Sequence, residues 1–294
     1  MESFRLNTYK SPQEHLLFLI ERGLIVADEE QAAHTLQHVH FYRLQSYWKP
    51  FLSEGGQSFR KGTTFEAVIA LYEFDRLFRV MILECIERIE VSVRSAFIDI
   101  VSSEFGNHGH LQQDHARSAQ VFYEIIERHG RETRRFGIDI SKSAASQAQM
   151  GLLPIWDSCE MMSLGTMSKW IGNVLKMRLV NKIARKYHLP ARVLISWLHH
   201  LNVTRNTSAH HGRLWNRSMT IVPVTRVPNS VSVAMERSSR KIYNTLVILL
   251  YLRNIIEPQN TWKSDLLALI DQYSIDVSQM GFPSDWMKRD LWQA

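Results

Sequence analysis

Apolar positions recur three and four residues apart over most of the 294-residue chain, the spacing of one buried helix face. Ser11-Pro12 supplies a cap and a proline at the first helical position. Leu16, Leu17, Leu19 and Ile20 then form a stripe that Gly23 ends. Asp28 caps a second helix through about His38, so the two predict an N-terminal hairpin. From Phe65 to Val101 no glycine or proline interrupts a run in which Val68, Leu71, Phe78, Ile82, Ile86, Ile89, Val93 and Phe97 keep helical spacing. That run predicts one central helix of about 55 Å, or two joined by a bend.

Further along, Gln120 to Arg128 and Ile155 to Met162 read as short helices. Leu164-Gly165-Thr166 reads as a break, with Thr166 or Ser168 capping a helix to about Lys176. Leu179 to Tyr187 is another helix, and Pro190 opens the next, Ala191 to Leu201, which meets no proline or glycine before Gly212. Thr220 to Val227 is β-branched but interrupted by Pro223, so it is extended and at most a short edge hairpin. Met235 to Ile256 predicts a long apolar helix and Thr261 to Gln272 a shorter one. A tail with Trp286 and Trp292 is expected to dock on the body. No repeat and no strand alternation appears. The expected class is all-α, a single domain over 1–294. It divides into a hairpin and aromatic segment (1–62), a core (63–217) and C-terminal helices (218–294).

Composition adds little. Hydrophobic residues at 45% and charged residues at 22% are ordinary globular values. A net charge of +6 favours polyanionic partners only mildly. Cys85 and Cys159, both in apolar helical patterns, are too few for a disulfide framework or a four-cysteine zinc site and read as buried thiols. Met1 to Lys10 has no apolar core, and the most apolar run, Leu246 to Leu252, is far short of a membrane span, so a soluble cytoplasmic protein without a membrane partner is expected. His34 and His38 sit at ligand spacing, but no His-Glu-x-x-His string and no third ligand accompanies them. No phosphate-binding Gly-x-x-x-x-Gly-Lys loop is present either. Neither a metal nor a cofactor is expected.

Chemistry concentrates in Arg205 to Arg217, where thirteen residues hold three arginines, two adjacent histidines, two asparagines and Trp215. Histidine moves protons near neutral pH, and arginine holds two phosphate oxygens in a planar fork. Together they suffice for RNA cleavage without metal, in which the 2′-hydroxyl loses a proton and attacks the neighbouring phosphorus. The candidate roles are His210 as general acid/base, Arg205 on the scissile phosphate, and Asn206 bonding substrate or orienting His210. His211 is an alternative proton shuttle. Arg213 and Arg217 would hold flanking phosphates, Asn216 would support them, and Trp215 stacks a base or packs. On a continuous helix Arg205 and His210 lie about 140° apart, whereas Asn206 and His210 share a face. Two further segments are candidates for RNA contact. One is aromatic, Phe41 to Phe51, with Arg43, Tyr47 and Trp48, whose alternative is packing. The other is basic, Arg128 to Lys142, with Arg131, Arg134 and Arg135. Glu90 and Arg94, four apart on the long helix, are either a solvated ion pair or charge placed behind the motif.

Arg205-Asn206 followed by His210 resembles the Arg-x(4–6)-His motif of HEPN-superfamily ribonucleases. The longer string, Ala209-His-His-Gly-Arg-Leu-Trp-Asn-Arg217, resembles the bacterial Abi family of abortive-infection proteins, the AbiD and AbiF type. Further similar pieces follow in the same order: Tyr42 to Phe51, Leu71 to Asp75, Glu87 to Val91, Leu164 to Lys169, Ser196 to Leu198 and Gly281 to Trp286. The chain departs from the family pattern at Thr207-Ser208, usually small or cysteine, and at Gly212, usually serine. The resemblance implies a HEPN-like helical bundle and a toxin-like, metal-independent endoribonuclease of anti-phage defence. Its RNA products would carry 2′,3′-cyclic phosphate and 5′-hydroxyl ends. HEPN ribonucleases juxtapose two motifs. One motif per chain therefore implies a homodimer through the motif face. RNA is the expected partner, as substrate and as a regulatory non-coding RNA, with no DNA specificity. The alternative is a non-catalytic RNA-binding protein held by a structured or antitoxin RNA, and a protein-interaction subunit is a third reading.

Overall fold

The computed structural model describes residues 9–138, 153–227, 231–237 and 239–293; the expected linker Ser141 to Gln149 and Lys142 lie outside them. Thirteen helices form among the described residues, and β-pairing there is confined to isolated bridges. The chain is all-α, and its contacts cluster into two compact units, Met1–Arg79 with Leu266–Ile275, and Val80–Asp265 with Asp276–Ala294.

The first unit opens with helix α1 (Pro12–Glu21), where the Ser11 side chain and Glu14 form a reciprocal capping box. Helix α2 (Glu29–His38) is capped by the Asp28 side chain. Helix α3 (Phe41–Trp48) then buries Phe41, Leu44, Tyr47 and Trp48. The Tyr47 hydroxyl donates to Asp75 Oδ2 at 2.7 Å, joining two of the resembling segments, and Arg79 pairs with the same buried carboxylate. Burial first, and the Asp75 charge second, push the Tyr47 phenol well up. Tyr47 and Trp48, at 2% and 1% exposure, therefore pack the core; neither offers a face to a base, so of the two readings of this aromatic segment packing holds for both. Arg43 lies over the Tyr72 ring and donates to its hydroxyl at 3.3 Å.

The run from Phe65 is one helix, α4 (Phe65–Phe105), 41 residues long. In the second unit follow α5 (Ala119–Thr133), α6 (Ile155–Glu160), α7 (Leu164–Lys169), α8 (Met177–Arg185) and α9 (Ala191–Ala209). After them come α10 (Val231–Ala234) and α11 (Tyr243–Ile256), then α12 (Trp262–Gln272), which from Leu266 onward belongs to the first unit, and the short terminal α13 (Asp290–Gln293). Leu164-Gly-Thr does not break the chain. Ser163 caps α7, its hydroxyl accepting from Thr166 N at 3.2 Å, and Gly165 lies in the first turn, where helix propensity matters least. Helix α11 starts at Tyr243 instead of Met235. Asn244 claims the backbone of Glu236 in both directions, at 2.8 and 2.7 Å, and Tyr243 bonds Ala234 O, so side chains take the groups a helix would use. The tail docks as expected: Phe282, Trp286 and Trp292 cluster on Tyr243. Both cysteines are free and buried, with the Cys159 thiol pushed up to about 12 by burial. No helix among the described residues is long and apolar enough to cross a membrane.

Four histidines of the second unit are buried, His110, His115, His129 and His200, and three of them are shifted by it. Burial depresses His110 to about 3 and His115 and His200 to about 4, the latter two partly held up by bonds to backbone carbonyls. These groups are neutral in the fold and protonate in the unfolded chain below about pH 6.5, so stability is full above that value and falls as pH drops toward 4. At pH 5, His115 and His200 each cost on the order of 2 kcal/mol. The urea midpoint is therefore expected to fall steeply between pH 6.5 and 4.5, and His200→Gln to flatten that slope by about one proton. A midpoint insensitive to pH over this range would contradict the buried neutral histidines.

Candidate active site

Helix α9 is fixed by its inner face. Val193, Leu194, Trp197, Leu198, Leu201, Thr204 and Ser208 are buried, while Arg205 and Asn206 are exposed. The segment returning after the motif is tied along this helix. His200 Nδ1–H donates to Ile221 O at 2.6 Å while its Nε2 accepts from the Thr245 hydroxyl at 2.8 Å. Trp197 Nε1 donates to Val224 O, and Val224 N donates to Ser196 Oγ, each at 2.9 Å. Side chains of α9 thus satisfy the backbone of 221–224, which is why this β-branched stretch is extended without forming a hairpin.

The helix ends inside the motif. Gly212 N donates to Thr207 O at 2.8 Å and His211 N to Ser208 O at 3.0 Å, the paired bonds of a Schellman turn. His211 occupies the left-handed position of that turn, with φ +59°, where glycine is usual. Gly212, the next residue, is needed for space: a Cβ there would stand 2.9 Å from Thr207 Cγ2 and 3.3 Å from Arg217 Nη1. Leu214 and Trp215, at 0% and 3% exposure, anchor the chain after the turn. Trp215 is therefore packing and presents no stacking face.

This turn gathers the predicted residues. The Arg205 guanidinium donates to Asn206 Oδ1 at 3.4 Å. Asn206, His210 and Arg217 line one surface concavity of about 380 Å³, with Val203, Thr207 and Gly212. Both Arg205 and His210 are exposed. Arg217 also reaches back to Arg213 O at 3.5 Å. Asn216, itself at φ +48°, is held by Lys241 and donates to Gln279 Oε1 at 3.0 Å, which assigns it to fixing the turn. Arg131, Arg134 and Arg135 are exposed at the end of α5 and do not line the concavity; Arg131 pairs with Glu127 at 2.9 Å.

Behind the motif stands Glu90. Its pair with Arg94, at 2.8 Å, is largely withdrawn from solvent, and Arg94 continues to Met162 O at 3.1 Å. Burial raises the Glu90 carboxyl above its ordinary value, opposed by the positive charges of Arg94 and Arg205. Of the two readings of Glu90 and Arg94, a solvated pair does not fit this burial. The motif's field includes Glu90. Residues that the pattern left unremarked also belong here: Val203 and Thr207 on the concavity, and Asn202, one turn before Asn206. The helical period starting from Asn206 would have found Asn202. Among the described residues no group of three or more metal-ligating side chains converges, at this site or elsewhere.

Because a non-glycine residue pays conformational strain at φ +59°, His211→Gly is expected to stabilise the fold by about 0.5–1 kcal/mol. Urea unfolding at pH 7 checks it; destabilisation of similar size would show that the His211 ring holds the turn.

The family model described as Abi-like protein matches residues 34–216, more than half of the chain, and its match ends within the motif turn. No curated protein and no solved structure matches. The extent of that one match is decisive, and the chain belongs to the Abi-like protein family, a family of abortive-infection proteins.

Proposed function

We propose that this protein is a HEPN-type, metal-independent endoribonuclease, a toxin-like effector of abortive infection. One observation carries the reading: at the end of α9 the exposed Arg205 bonds Asn206, and Asn206 lines one surface concavity together with His210 and Arg217. Arg205 receives the scissile phosphate and is kept in place by Asn206 and the charge of Glu90. His210 removes the 2′-hydroxyl proton. The 2′-oxygen bonds to phosphorus, the bond to the 5′-oxygen breaks, and that oxygen takes a proton as it leaves. A second copy of the chain, docked motif to motif, supplies the second histidine for that proton, which is why the active form is a homodimer. Arg217, at the rim of the concavity, neutralises a flanking phosphate. His210 lines the concavity and His211 does not, so His210 is the proton-transfer residue.

Purified protein incubated with total RNA in EDTA, beside Arg205→Ala and His210→Ala, tests this. Wild type is expected to leave 2′,3′-cyclic phosphate and 5′-hydroxyl ends, and each variant to lose at least a hundredfold in rate. Cleavage by all three alike would remove the assignment. RNA left intact by wild type, yet retained through purification, would favour a non-catalytic RNA-binding protein.

A further inference from the structure

Leu164 to Lys169 resembles the family's pattern, yet the site above gives it no task. Its Gly165 faces two polar side chains. A Cβ built there would stand 3.2 Å from Asn202 Oδ1, 3.4 Å from Arg128 Nη2 and 3.5 Å from Asn202 Nδ2. The missing side chain leaves a small cradle between a guanidinium and a carboxamide. Arg128, on α5, is held in position: its Nε donates to Thr166 Oγ1 at 2.8 Å, and Thr166 in turn donates to Glu132 Oε1 at 2.8 Å. Glu132 is also gripped by Ser163 at 2.7 Å and by His129 at 3.3 Å. This network fixes the Nε edge of Arg128, with Nη2 standing at the cradle. Among the described residues Arg128 forms no ion pair, and both Arg128 and Asn202 are half-buried.

The cradle is placed with respect to the motif by helix geometry. Asn202 lies three residues before Arg205 and four before Asn206, the positions that neighbour one another on a helix surface. Three residues advance about 4.5 Å along the axis, a step that the length of the Arg205 and Arg128 side chains extends toward the next phosphate of a strand.

We propose that Arg128 and Asn202, with Gly165 kept bare beneath them, bind the phosphate of the substrate strand next to the one held by Arg205. The proposal rests on the ribonuclease reading and adds to it a direction: the strand runs along the outer face of α9, from the concavity at His210 back toward α5. Arg128 supplies charge and two donors, Asn202 a donor that adjusts to the bound oxygen, and Gly165 the room for close approach. These are binding residues and take no part in proton transfer.

Binding of a short fluorescent single-stranded RNA with 2′-O-methylated riboses, which cannot be cut, is measured against salt for wild type, Arg128→Gln, Arg128→Lys and Gly165→Ala. Cleavage of the unmodified strand is measured in parallel. Arg128→Gln is expected to weaken binding about five- to tenfold and to lower the slope of log affinity against log salt by about 0.7, one single-strand phosphate. Arg128→Lys keeps the slope. Gly165→Ala, which retains the arginine and adds a good helix former, is expected to weaken binding at least threefold without lowering the melting temperature. In cleavage, Arg128→Gln raises KM and leaves kcat within about twofold. Unchanged affinity and slope in Arg128→Gln, with wild type binding and cutting normally, overturn the cradle and leave the ribonuclease reading standing. A reduced slope in a protein that binds but never cuts supports the cradle and removes the ribonuclease reading. A wild type that does not bind RNA overturns both.

Discussion

Everything proposed for this protein depends on one backbone constraint, the left-handed turn at His211 that stops α9. Asn206 and His210 share a face of the helix up to its end. Were the helix to continue, Arg217 would lie about 10 Å beyond His210 along its axis; the turn instead brings Gly212 and Arg217 back to the concavity that Asn206 and His210 line. The turn cannot be held by its own bonds alone, because a left-handed histidine is strained. What holds it is the chain beyond: Leu214 and Trp215 in the core, Asn216 clasped by Lys241 and Gln279, and 221–224 laced to α9 through Ser196, Trp197 and His200. The strain sits at the functional end of the helix, and burial elsewhere offsets it.

A second layer of buried polar groups fixes the elements behind the site. Glu90 and Arg94 join α4 to Met162, just before the cap of α7. Glu132 gathers His129, Ser163 and Thr166, and its carboxyl, although burial pushes it up, is drawn down to about 2 by those bonds. His129 is satisfied on its other side by Ser158 at 2.8 Å. Such a network is costly unless complete, and complete it specifies one arrangement of α5 against α7. The same logic applies in the first unit to Tyr47, Asp75 and Arg79.

Much of this was legible in the sequence where a local rule decides the outcome. Ser11 and Asp28 cap the helices they were expected to cap, because an N-cap is set by a few neighbouring residues. The long run from Phe65 is one helix for the same reason: nothing in it breaks the period. The reading failed where distant groups intervene. Asn244 and Tyr243 capture backbone that the apolar pattern from Met235 assigned to helix. Gly165 was taken for a break, although a glycine in the first turn is tolerated and here leaves space. Trp48 and Trp215 show the usual ambiguity of aromatics, whose burial cannot be told from composition. At the site, Arg205, Asn206 and His210 were visible by type and spacing. The return of Gly212 and Arg217 to the same concavity was not, since it turns on a positive φ at a residue that is not glycine.

The proposed ribonuclease chemistry requires RNA to meet the protein at the end of α9. Histidine ring NMR tests it most directly, during titration with a single-stranded RNA that cannot be cut. The His210 signal is expected to shift first and to saturate with binding, while buried His115 and His200 stay in place. Shifts confined to other histidines, such as His34 and His38 on α2, with His210 unmoved at saturation, would contradict it.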